Sequence, residues 1–202
     1  MSPIEYPVHY KVDHPEKLSR GLLFLRLFLA WVYVGIPHGF LLFFIGIAAL
    51  VVMIIAWFAV LFTAKYPKWA FNFVLFYWRW QLRVLAYLYY MTDVYPPFTG
   101  KEIEGHPVHF SIDYPERLSR GLLFLRLFLG WAYIWIPHYL ILWPLLMAVS
   151  FIVGASWWVI LFTGRYPRNM FNLIVGVYRW YLRVMAYSGF MTDRYPPFTD
   201  EE

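Results

Sequence analysis

The spacing of apolar and polar positions states one pattern and then states it again. Val8-His9-Tyr10-Lys11-Val12 alternates, which reads as an extended strand with one apolar side. Asp13-His14-Pro15-Glu16 reads as a helix start: Asp13 can accept from a backbone N–H, Glu16 can reach back, and proline suits the first turn. The helix predicted from Leu18 to about Ile36 is apolar apart from Ser19, Arg20 and Arg26, and it is expected to break before Pro37. From His38 to Thr63 no charge occurs, a stretch longer than the ~20 residues that cross a hydrocarbon core. A short loop then leads to a third helix, Trp69 to about Met91, in which Asn72, Arg79, Arg83 and Tyr87 fall on one face. Thr92 to Phe98, with two prolines, closes the unit.

Residues 107–199 match residues 7–99 without a gap: PVHYKVDHPEKLSRGLLFLRLFLAW against PVHFSIDYPERLSRGLLFLRLFLGW, LFTAKYPK against LFTGRYPR, MTDVYPPFT against MTDRYPPFT. Two long copies indicate a duplication with a pseudo-twofold arrangement; a solenoid would repeat shorter units more often. The units are residues 1–99 and 107–202, joined by the linker GKEIEGH at 100–106.

Composition turns these helices into membrane segments. The chain is 61% hydrophobic and only 14% charged, against roughly 25% charged in soluble domains. Aromatic residues reach 23%, and rings with one wet edge favour the headgroup level of a bilayer. There is no cysteine, which excludes disulfides, thiolate chemistry and Cys-ligated metals. The net charge of +5 comes from single basic residues set among aromatics, so anionic lipids suit them as counter-ions and nucleic acid does not. The N-terminal twenty residues lack the pattern of a secretory signal peptide. The expected fold is an all-α, multi-pass integral membrane protein. Each of its two units carries a short extended segment, a transmembrane or re-entrant hairpin of helices about 18–36 and 38–63, and an interfacial amphipathic helix.

Matching basic positions, Arg20 and Arg120, Lys65 and Arg165, Lys68 and Arg168, bear on topology. Because such residues prefer the cytoplasmic side, like-charged copies are expected to share one orientation, with two spans per unit. An inverted pair with one span per unit is the alternative. For the third helix the alternative to the interface is a place inside the bundle with its arginines turned inward.

Candidate chemistry rests on arginines inside apolar helices: Arg26, Arg79, Arg83 and their repeats Arg126, Arg179, Arg183. They can snorkel to the headgroups, bind an anionic headgroup or other anion through the guanidinium fork, or pair with Asp93 and Asp193. His9, His38, His109 and His138 lack the spacing of a metal site, so no metal and no cofactor is expected; a ring nitrogen of His38 could satisfy a carbonyl freed by Pro37. No nucleophile elbow or phosphate loop occurs, and enzyme activity is not expected.

The segments DYPERLSR, IPHY, LFTGRYPR, YRWYLRVMAY and MTDRYPPF resemble a bacterial family of small integral membrane proteins catalogued as a domain of unknown function. That resemblance implies residence in the inner (cytoplasmic) membrane and assigns no catalytic residue. The expected function is a non-enzymatic accessory or scaffold subunit, in contact with anionic lipids and with other membrane subunits or a second copy of itself. The alternative is a small transporter or channel acting as a dimer.

Overall fold

The computed structural model describes residues 6–199, so the outermost residues of both units, 1–5 and 200–202, lie outside the described part. The element order is β1 (Val8–Val12), α1 (Arg20–Ala30), a π-helical turn (Trp31–Gly35), α2 (Ile36–Thr63) and α3 (Lys68–Leu88). It is then repeated as β2 (Val108–Ile112), α4 (Arg120–Gly130), a second π turn (Trp131–Trp135), α5 (Ile136–Thr163) and α6 (Arg168–Ser188). Two tandem, mostly helical units are therefore present, each with one long apolar helix. A two-stranded sheet, which an all-α description omits, joins them.

The alternating segments find their partners in each other. β1 and β2 pair antiparallel, with Tyr10 opposite Phe110 and Val8 opposite Ile112, so the pairing is unchanged when the two copies are exchanged. Val8, Tyr10, Val12 and their counterparts Val108, Phe110, Ile112 face inward. The ribbon packs on the third helices crosswise: β1 lies on α6 and β2 on α3. Asp13 N–H and Asp113 N–H reach the carbonyls of Pro107 and Pro7 at 2.8 Å, extending the exchange beyond the strands.

The expected break at Pro37 does not occur. Arg20–Thr63 runs as one helix of 44 residues, and Arg120–Thr163 repeats it. The chain accommodates the proline by widening: in the π turn the Ile36 N–H donates to the Trp31 carbonyl, five residues back, and Pro37 follows in the first turn of α2. No hairpin separates 18–36 from 38–63. The helix start is also corrected. Ser19 caps α1, its Oγ accepting from Leu22 N–H at 3.3 Å, while Asp13 bonds to His109 at 3.0 Å across the ribbon.

The two long helices run antiparallel. Near the start of the first, the Arg20 guanidinium donates to the Phe162 carbonyl at 2.9 Å, Leu18 N–H donates to the Gly164 carbonyl at 2.9 Å, and Phe24 meets Trp157 edge-on at 5.6 Å. Near its far end, Trp57 meets Phe124 at 6.4 Å and Arg120 reaches the Phe62 carbonyl at 2.6 Å. His14 and Tyr114, which differ between copies, are interchangeable in what they hold, because each bonds a carbonyl of the other unit, Tyr166 and Tyr66 respectively. α3 and α6 pack between the long helices and the ribbon, and Tyr89 and Tyr178 bond where the two meet, at 3.1 Å.

Both third helices are largely buried. Arg79, Arg83 and Arg183 lie in the protein interior, so these arginines turn inward as in the alternative reading and do not form an exposed stripe. An arginine already hydrogen-bonded to protein carbonyls can be buried at less cost than one stripped of water alone.

Candidate functional site

Each unit holds one polar cluster, where the long helix, the third helix and the proline-rich exit converge. Arg26 projects from α1 and is almost wholly covered. Its guanidinium forms an ion pair with Asp93 of the exit, donates to the Tyr87 carbonyl at 3.3 Å, and lies 4.1 Å over the Tyr87 ring. The other oxygen of Asp93 accepts from Ser19 N–H at 2.6 Å, so one carboxylate both neutralises the arginine and ties down the start of α1. The second unit repeats this with Arg126 and Asp193 at 2.7 Å, Ser119 N–H at 2.5 Å and the Tyr187 ring at 3.9 Å.

A relay of hydrogen bonds crosses the π turn beside it. The Trp80 indole N–H donates to His38 Nδ1 at 2.9 Å. An indole nitrogen can only donate, so Nδ1 is the acceptor and the ring hydrogen sits on Nε2, which faces the Tyr95 hydroxyl at 3.1 Å. The Tyr95 hydroxyl in turn donates a hydrogen bond to the Tyr33 carbonyl at 2.8 Å. That carbonyl is the one whose α-helical donor would be the nitrogen of Pro37, so the tyrosine does what His38 was expected to do. Phe98 stacks on His38 at 4.1 Å. In the second unit Trp180, His138, Phe198, Tyr195 and Tyr133 repeat the arrangement, except that His138 Nε2 has no hydrogen-bond partner.

The remaining arginines hold backbone. Arg79 donates to the carbonyls of Phe110 and Gly100, both at 3.1 Å, and Arg179 donates to Tyr10 at 3.2 Å, so each third helix grips the strand laid across it. Arg83 and Arg183 donate to Thr99 and Thr199 at 3.1 and 3.3 Å, fastening the exits. The six arginines thus do not gather into one anion site: Arg26 and Arg126 pair with the exit aspartates, while Arg79, Arg83, Arg179 and Arg183 clamp strands and exits, Arg79 with Glu102 3.8 Å away as well. Behind Arg83, burial and that arginine's charge hold His106 down to about 4, and its Nδ1 accepts from Val108 N–H at 3.1 Å. On the ribbon, the hydrogen bond from His109 keeps the Asp13 carboxyl below its ordinary range.

The sequence leaves the pairing of Arg26 with Asp93 as one option among three, places Tyr87 on the arginine face without assigning it a contact, and gives Tyr33, Trp80 and Tyr95 no role. Their signal is the repeat itself: Tyr33, Trp80, Tyr87 and Tyr95 all recur, at 133, 180, 187 and 195, whereas exposed positions such as Gly39 and Tyr139 differ.

This architecture, a tandem pair of long apolar helices each closed by a buried arginine and a YPPF exit, defines a duplicated unit with an internal polar clasp. The chain belongs to the family described as a domain of unknown function, DUF4389, which matches residues 21–100 and again 122–200. No curated protein and no solved structure matches it.

Proposed function

We propose that the protein is a non-enzymatic membrane protein of the inner membrane, an accessory or scaffold element that binds lipid and other membrane subunits through its outer surface. One observation carries this reading: each of the six arginines set within the apolar helices is engaged inside the fold, while the exposed side of the long helices is apolar, from Phe24 and Phe28 through Phe44 and Ile54 to Phe62 in the first. Such a surface is far larger than the isolated apolar residues usual on soluble proteins. A groove of about 430 Å³ between the two long helices, lined by Met53, Ile54, Trp57, Phe58, Leu127 and Phe190, has the chemistry of an acyl-chain site. Basic residues at the helix ends, Lys17 and Arg20 beside Arg165, supply partners for anionic headgroups.

Two measurements test the reading. Native mass spectrometry after release in mild detergent is expected to show retained phospholipid together with a fixed-stoichiometry assembly. Ion or solute flux through reconstituted vesicles well above that of empty vesicles would contradict it and favour a small transporter or channel.

A further inference from the structure

We propose that the two long helices lie in the plane of the membrane, side by side within one leaflet, so that the protein is embedded without crossing the bilayer. This rests on the membrane reading above and adds an orientation to it.

Length is the first argument. A continuous helix of 44 residues is ~66 Å long, about twice the ~30 Å hydrocarbon core. The exposed face is apolar along all of it. Phe28, Trp31, Phe43, Leu50, Phe58 and Phe62 are each half or more exposed, and Arg26, the one charge between residues 21 and 63, is buried. Standing upright, such a helix would leave roughly half of its apolar face in headgroups and water. Lying flat, it covers the whole face.

Charge is the second. Because the helices are antiparallel, each end of the pair collects basic residues from both units: Lys17 and Arg20 share clefts with Arg165 and Arg168 at one end, and the repeat places Lys65, Lys68, Arg117 and Arg120 at the other. Upright helices would set these two groups on opposite sides of the bilayer, against the tendency of basic residues to gather on one side. In-plane helices put all of them at the headgroups of a single leaflet.

Layering is the third. The ribbon touches α3 and α6, and these in turn carry the long helices, which form an outer layer. One helix is ~10 Å thick, within the ~15 Å of hydrocarbon that one leaflet offers. Charged and exposed side chains such as Glu102, Asp113 and Lys11 belong to the linker and the ribbon, on the other side of that stack.

The chain has no cysteine, so single labels are clean. Phe24→Cys, Phe44→Cys and Phe62→Cys, each on the exposed face, carry a fluorophore whose depth is read by quenching with lipids brominated at different acyl positions, in vesicles containing one-third anionic lipid. The proposal expects all three at similar depth within one leaflet, and expects Thr63→Cys and Thr163→Cys to react with an impermeant maleimide from the same side. A label at residue 44 near the bilayer centre, with 24 and 62 near opposite surfaces and Thr63 and Thr163 labelled from opposite sides, would overturn the orientation while leaving membrane residence intact. Three labels quenched by aqueous iodide alone would overturn both readings.

Discussion

The Tyr95 hydroxyl donates at 2.8 Å to the Tyr33 carbonyl, which Pro37 deprives of its ordinary helical donor, and Tyr195 does the same for Tyr133. The long helix therefore passes its proline unbroken with the π turn beside it and with a residue 62 positions beyond Tyr33 supplying the missing hydrogen bond. Tyr95→Phe leaves the Tyr33 carbonyl and the His38 Nε2–H short of a partner, an expected loss of about 1–3 kcal/mol. In a Pro37→Ala background, where the backbone N–H is restored, the same substitution is expected to cost distinctly less. Unfolding midpoints of the four proteins in detergent measure that coupling; additive effects would mean the relay does not compensate the proline.

Asp93 is the counter-charge of a buried cation. Asp93→Asn strips Arg26 of its partner, and breaking a buried pair from one side costs on the order of 3–5 kcal/mol. The expected result is a sharp fall in folded yield on size-exclusion chromatography. Combining it with Arg26→Met, which removes the charge and keeps the stem, is expected to recover much of the loss, since hydrophobic replacement of a whole buried pair is often neutral.

Ala64 ends α2 with a left-handed backbone, φ 57°, where the second unit has Gly164 at φ 69°. An L side chain is strained there, and Ala64→Gly is expected to stabilise by about 0.5–1 kcal/mol. The reverse change, Gly164→Ala, is expected to destabilise by a similar amount. Both are read from the thermal midpoint.

His106 sets a pH window. It stays neutral in the folded protein down to about 4, whereas the unfolded chain takes up a proton near 6.5. Between those values the unfolded state binds more protons, so stability falls as pH is lowered from about 6.5 to about 4 and this contribution is then constant. His106→Asn, which can still accept from Val108 N–H, is expected to flatten that window. Asp13, with its lowered carboxyl, acts at lower pH: its contribution is present above 3.8 and lost as pH falls through the lowered value.

Much of the fold was legible because the repeat states it twice: the strands, the 38–63 apolar run, the loop before Lys68 and the YPPF exits all lie where alternation, uniform hydropathy and proline put them. Three features were not legible, and each depends on residues far apart in the chain. β1 pairs with its own copy, so the strand that begins one unit packs on the helix of the other. Pro37 reads locally as a break, and the π turn together with the remote Tyr95 makes continuity tolerable. Arg79 and Arg83 read as an exposed polar stripe because their acceptors, the carbonyls of Phe110, Gly100 and Thr99, are backbone atoms that leave no mark in a sequence. Nor does a sequence show that the crosswise exchange of strands and helix ends runs the long helices in opposite directions.

That antiparallel pairing underlies both the basic ends and the proposed in-plane orientation, and one distance tests it. Spin labels at Phe28→Cys and Phe128→Cys, both exposed, report the separation of equivalent points on the two long helices by double electron–electron resonance in lipid nanodiscs. Antiparallel helices with Phe24 beside Trp157 put these sites roughly 25 residues apart along the pair, on the order of 35–40 Å. A separation near ~10 Å, the spacing of neighbouring parallel helices, would contradict it.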